Sequence, residues 1–172
     1  MTDKKLKSHR VKIDKIDKEI YALIQKRASH AVAIGKIKSK VSPKESFYKP
    51  DRETKILRNI LNANKKGLLP DSKIRAIYKE LISGCLSLEE ILKVAYLGPE
   101  ATHSEAAVHN QFGSQALRIP TSTIDDVFYQ VINDDVNLGV VPVENSSEGV
   151  INTTLNCLSL IHISEPTRLD GI

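Results

Sequence analysis

From Leu6 to Val41 the apolar residues recur at helical spacing. Leu6, Ile13, Ile20, Ile34 and Val41 fall on one seven-residue seam, and Ile16, Leu23 and Ile37 fill the companion seam. The pattern predicts one long amphipathic helix with a narrow stripe, suited to packing against another long helix. Some 36 residues would span roughly 50 Å. That is too long for the stripe to be buried within a small unit, so a partner chain is expected. Ser42-Pro43 should break this helix. Pro50 then suits the first turn of a second helix with a buried face of Ile56, Leu57, Ile60 and Leu61, closed by Lys65-Lys66 and a glycine cap at Gly67. Pro70-Asp71 opens a third helix, with apolar positions at Ile74, Ile77, Tyr78, Leu81, Ile82, Cys85, Leu88 and Leu92.

Beyond Leu92 the period changes. Lys93 to Leu97 reads as a buried strand, and Gly98 to Ser104 as a turn into a helix running through Ala107 and Phe112. Ala116 to Ile119 fits a second strand. Thr121-Ser122-Thr123 caps another helix, with Asp126 at the capping-box position. Leu138 to Val143 fits a third strand, and a helical start follows Gly149. Strands alternating with helices imply a mostly parallel sheet, whose ligands sit beyond the carboxyl ends of the strands. There the Gly98 and Glu144 loops lie. The expected architecture is mainly α over residues 1–92, followed by a partial α/β lobe over 93–157.

Charge sharpens this division. The 172 residues carry a net +4, but residues 1–92 hold 22 Lys+Arg against 11 Asp+Glu, and residues 93–172 hold 3 against 10. The basic half favours an anionic partner. No apolar run approaches the ~20 residues of a membrane helix, and the charged stretch Met1 to Arg10 lacks the apolar core of a secretory signal. Cys85 and Cys157 form neither a metal cluster nor a disulfide framework. These features suggest a soluble, cytoplasmic chain that uses no metal or cofactor.

The polar residues that interrupt the helical pattern carry the chemistry. Arg27 occupies the seam position between Ile20 and Ile34, and Lys38, eleven residues on, returns to within ~20° of the same face. Arg10 lies seventeen residues before Arg27, rotated by about 100° and ~25 Å away. The two arginines can grip one small ligand only if Arg10 comes from another chain. Arg52 and Glu53 precede Ile56 and Leu57 by four, and Glu89 follows Cys85 by four. Taken singly, each has a plainer reading: Arg27 snorkelling or paired with a carboxylate, Lys38 solvated, Arg52-Glu53 a surface charge pair, Cys85 a small core residue. The functional reading rests on the set.

Arg10 to Asp17, Arg27, Ala33-Ile34-Gly35-Lys36-Ile37-Lys38 and Phe47-Tyr48-Lys49-Pro50-Asp51-Arg52-Glu53 resemble the all-helical chorismate mutases, above all the domain fused to prephenate dehydratase in bacterial phenylalanine biosynthesis. The resemblance covers residues 6–92. It implies an intertwined homodimer of three-helix chains, an isomerase converting chorismate to prephenate, and sites built from both chains. By resemblance, Arg27 and the other chain's Arg10 hold the carboxylates, and Lys38 donates toward the ether oxygen and one carboxylate. Glu53 contacts the ring hydroxyl and Arg52 orients the polar shell. Glu89 stands where many relatives carry a glutamine donor. Lys49 replaces an aspartate and Cys85 a serine at substrate-contacting positions. Because a carboxylate cannot donate a hydrogen bond, Glu89 must be protonated to help.

Tyr96-Leu97-Gly98-Pro99-Glu100-Ala101-Thr102-His103-Ser104 and Val141 to Gly149 resemble prephenate dehydratase, a lyase with a periplasmic-binding-protein-like fold. The resemblance places Ser104, Glu144, Asn145 and Ser146 in a prephenate cleft. Capping of helices by Ser104 and Ser146 is the plainer alternative. The second lobe that this family needs does not fit in the remaining residues, so dehydratase activity is not expected of this chain. Residues 158–172 do not resemble the family and read as a non-native tail.

The expected function is therefore chorismate mutase, acting on chorismate and releasing prephenate, with no nucleic-acid or membrane partner. A basic nucleic-acid-binding fragment, suggested by the charge of residues 1–92, and a non-catalytic ligand-binding module remain the alternatives.

Overall fold

A computed structural model describes residues 2–41, 47–145 and 149–164. Its chain divides into two units, Met1–Ile91 and Leu92–Ile172. In the first, helix α1 runs from Thr2 to Val41, α2 from Pro50 to Ala63 and α3 from Asp71 to Leu86. At 40 residues, α1 is about 60 Å long. It starts four residues before the apolar pattern does, because lysine favours helix without contributing to the stripe. The expected break at Ser42-Pro43 lies outside the described residues. Both α1 and α2 pack on α3, with Ala31, Leu57 and Cys85 buried between them. The stripe toward the amino end of α1 is uncovered: Leu6 is 50% exposed, Ile16 53% and Leu23 66%.

Two expectations about helix ends are corrected. The glycine after α2 is not a left-handed cap, since its φ is −74°. A one-turn helix, Asn64–Lys66, intervenes, and the Asn64 side chain folds over Gly67 to donate to the Leu69 carbonyl and Asp71. A Cβ at Gly67 would collide with Asn64 Oδ1, so a side chain there would push the Asn64 amide out of these hydrogen bonds. The third helix stops at Leu86 rather than reaching Leu92. Its end tightens into turns in which the Ser87 hydroxyl donates to the Gly84 carbonyl and Glu89 N–H to the Leu86 carbonyl.

In the second unit, strands β1 (Lys93–Leu97), β2 (Leu117–Thr121) and β3 (Leu138–Val140) form a parallel sheet in the order β2-β1-β3. Helices α4 (His103–Phe112) and α5 (Ile124–Ile132) connect them. Pro120 sits in β2, at the sheet's edge, where a missing N–H is tolerated. Ala95 pairs in register with Ile119 and Gly139, and Val127 of α5 packs over this small-residue surface. A Cβ on Gly139 would come 2.6 Å from Val127 Cγ1, so the glycine lets α5 lie close. Thr123 and Asp126 form the reciprocal capping box that the sequence predicts.

The third strand is shorter than expected. After Val140 the chain leaves the sheet, the Pro142 carbonyl accepts from buried Thr154, and β4 (Glu144–Asn145) pairs antiparallel with β5 (Gly149–Val150). A final helix, α6 (Asn152–Ser164), continues through the start of the segment expected to be a tail.

Candidate active site

The first unit encloses a cavity of about 470 Å³. Helix α1 contributes Arg27, His30, Ala31, Ile34 and Lys38 to its wall, and Phe47, Tyr48 and Lys49 close one side. Arg52, Glu53 and Ile56 come from α2, Ile82, Cys85 and Leu86 from α3, and Glu89 from the turn after it. Helical spacing explains the convergence: Arg27, Ala31, Ile34 and Lys38 recur every three or four residues and so share one face of α1.

Seven of the polar and small residues singled out by pattern and resemblance therefore line one cavity: Arg27, Lys38, Lys49, Arg52, Glu53, Cys85 and Glu89. Four cations face two acids there, a balance suited to an anionic ligand. Arg10 is not part of this wall; it lies on exposed α1 surface, roughly 25 Å before Arg27 along the axis.

Lys38 has the most defined surroundings. Its Nζ donates to Glu89 Oε2 at 3.3 Å and to the Phe47 carbonyl at 3.1 Å, and lies 5.2 Å from the Phe47 ring centroid. The Glu89 side chain is only 11% exposed, so the carboxylate is held inside the cavity. Arg27 Nη1 donates to the Leu81 carbonyl at 3.3 Å, which orients the guanidinium against α3. Burial pushes the Glu53 carboxyl above its ordinary value of 4.5, and the positive charge of Lys79 offsets part of that rise. Cys85 is a buried free thiol.

His30 and the Phe47 carbonyl were not anticipated. His30 lies three residues after Arg27, on the same helical face, a signal available in the sequence. The carbonyl is a backbone group, invisible in side-chain patterns.

In the second unit, Ser104 lies in the first turn of α4, but Thr102 is the cap: its hydroxyl accepts from Glu105 N–H at 3.5 Å. Capping by Ser104 is thus corrected. Glu105 also accepts from Ala101 N–H and from Arg118 Nε, bracing the turn that contains the cis Gly98-Pro99 bond and Ala101 at φ 62°. Tyr96 behind it is fully buried. That burial, with the charges of Glu105 and Glu100, pushes its phenol up. Glu144 and Asn145 form β4, so they and Ser104 follow the carboxyl ends of adjacent strands β3 and β1. Ser146 lies outside the described residues. Among the described residues, no three His, Cys, Asp or Glu side chains group to hold a metal ion, and no helix is long and apolar enough to cross a membrane.

Comparison with known proteins finds a family match for each unit. Residues 9–90 match the family Chorismate mutase type II, and residues 94–165 match Prephenate dehydratase. The second match extends into the segment beyond residue 157. The bifunctional chorismate mutase/prephenate dehydratase of Stutzerimonas stutzeri is 44% identical over 154 residues, covering 88% of this chain and 42% of the relative. That of Aquifex aeolicus is 47% identical with the same coverage. The Escherichia coli K12 protein is 25% identical over 171 residues, 90% of this chain and 44% of the relative. The chain thus spans less than half the length of these relatives.

Proposed function

We propose that this chain, which joins a type II chorismate mutase domain to part of a prephenate dehydratase domain, converts chorismate to prephenate. The observation that carries the proposal is the single cavity shared by Arg27, Lys38, Arg52, Glu53 and Glu89. Chorismate is a dicarboxylate that rearranges in one pericyclic step, so the reaction requires no protein nucleophile, metal or cofactor. The protein's task is to hold the compact conformer and stabilise charge on the ether oxygen as the C–O bond breaks.

Arg27 takes one carboxylate, since its planar fork donates two parallel hydrogen bonds. Arg10 of a second copy takes the other. Lys38 donates to the ether oxygen, and Glu89 stands beside it, where a carboxyl group donates only in its acid form. Glu53 accepts from the ring hydroxyl, while Arg52, Lys49 and Cys85 shape the polar wall. The half-exposed stripe of α1 supports a homodimer, because a second copy would bury it. The cations of the cavity wall converge on one small, half-open cleft rather than an extended surface, which favours a small dicarboxylate over nucleic acid. In the second unit, Ser104, Glu144 and Asn145 supply part of a prephenate cleft. A cytoplasmic setting suits this chemistry.

The test is chorismate turnover by the purified chain, with prephenate and phenylpyruvate followed separately. Prephenate formation that disappears in Arg27→Ala, without phenylpyruvate, is the expected result. A folded chain that leaves chorismate untouched would refute the proposal.

A further inference from the structure

Gly35 does not line the cavity, yet it is buried on the face of α1 that meets the end of α3. A Cβ built at Gly35 would stand 3.2 Å from Glu89 Cα, 3.3 Å from Glu89 Cβ and 3.4 Å from Glu89 Cγ. All three atoms belong to the residue whose carboxylate meets Lys38, one turn further along α1. One turn further on, the Ser39 hydroxyl donates to the Gly35 carbonyl at 2.9 Å.

We propose that Gly35 is a positioning residue of the mutase site: its missing side chain sets the approach of the turn after α3 that places the Glu89 carboxylate on the Lys38 ammonium. Resting on the mutase reading given above, the proposal adds a residue that acts only through another. The geometry leaves little slack. The Lys38–Glu89 contact is already 3.3 Å, and a displacement of a few tenths of an ångström carries it past the ~3.5 Å at which such a bond fades. Glu89 sits in a turn rather than in a continuous helix, so it would yield before α1 does. Alanine strengthens helices relative to glycine, so Gly35→Ala changes the crossing without weakening α1 itself.

The experiment has two readouts. In the ligand-free chain, acylation of Lys38 by an amine-directed reagent is followed by mass spectrometry. Gly35→Ala should raise it toward the rate seen in Glu89→Ala. In turnover, Gly35→Ala should lower kcat/KM for chorismate about tenfold, as sub-ångström misplacement of a catalytic group does. It should have no further effect in the Glu89→Ala background. Equal losses in both backgrounds, unchanged Lys38 labelling, or loss of the helical circular-dichroism signal in Gly35→Ala would make Gly35 a packing residue only and overturn the proposal. A wild-type chain idle on chorismate, with Lys38 labelling raised in Gly35→Ala, counts against the mutase reading and leaves the placement of Glu89 by Gly35 standing.

Discussion

Replacing Glu89 by glutamine separates a donor from a charge. Glu89 Oε2 accepts from Lys38 Nζ at 3.3 Å, and its side chain is 11% exposed against 32% for Lys38. An ionised Glu89 can only accept, so beside the ether oxygen of chorismate it contributes repulsion instead of a hydrogen bond. Glutamine presents an N–H there at every pH, while its carbonyl still accepts from Lys38. One donor aimed at developing charge in a partly closed site is worth roughly two orders of magnitude in rate. Glu89→Gln should therefore raise kcat/KM for chorismate by about that factor over wild type. Stability should change little, since the glutamine carbonyl keeps the hydrogen bond from Lys38. The assay is chorismate consumption by wild type and Glu89→Gln side by side, paired with circular dichroism to confirm that the chain remains folded. A folded Glu89→Gln chain no faster than wild type would refute the reasoning.

Other outcomes follow from the same structure. Burial raises the folded-state carboxyl of Glu53 above 4.5, so its contribution to stability is fully present below that pH and is lost as pH rises through the raised value. Glu53→Gln should therefore be more thermally stable than wild type at neutral pH, the gain vanishing on acidification, while turnover falls; melting curves across pH decide it. Ile16→Asp places a charge in the uncovered stripe of α1. Sedimentation should show a shift from dimer to monomer, with mutase activity lost alongside. Thr123→Ala removes the hydroxyl that accepts from Asp126 N–H in the α5 capping box, leaving only the Thr123 N–H to Asp126 bond, and should cost about 1 kcal/mol. Its loss should appear in denaturation of the second unit, and an unchanged midpoint would contradict the assigned cap.

How much of this was legible in the sequence depends on which physical signal each feature leaves. The long α1 stripe and the change of period after Leu92 are repetitive patterns, and the elements they predict are present. The cations and acids that break the pattern, Arg27, Lys38, Arg52, Glu53 and Glu89, were readable because charge on a buried-facing seam needs a reason, and the cavity supplies one. Features set by backbone or by tertiary approach were not readable. The Phe47 carbonyl has no side-chain signature, and the reason for Gly67 lies in how Asn64 folds over it. Leu88 and Leu92 continue the helical spacing of α3 although the helix ends at Leu86, because local hydrogen bonds of Ser87 and Glu89 outweigh periodicity at its terminus. The short β4–β5 pairing had too few residues to register as a pattern.

The central claim is that Arg27 in the cavity of one chain and Arg10 of another serve one chorismate, so the most direct measurement is complementation. Arg10→Ala and Arg27→Ala chains, each carrying a different affinity tag, are co-expressed, and the doubly tagged dimer is assayed for prephenate formation. The account predicts that each variant alone is inactive, while the mixed dimer, with one of its two sites intact, regains roughly half the wild-type rate per dimer. A mixed dimer as inactive as its parents, alongside an active wild type, would contradict it.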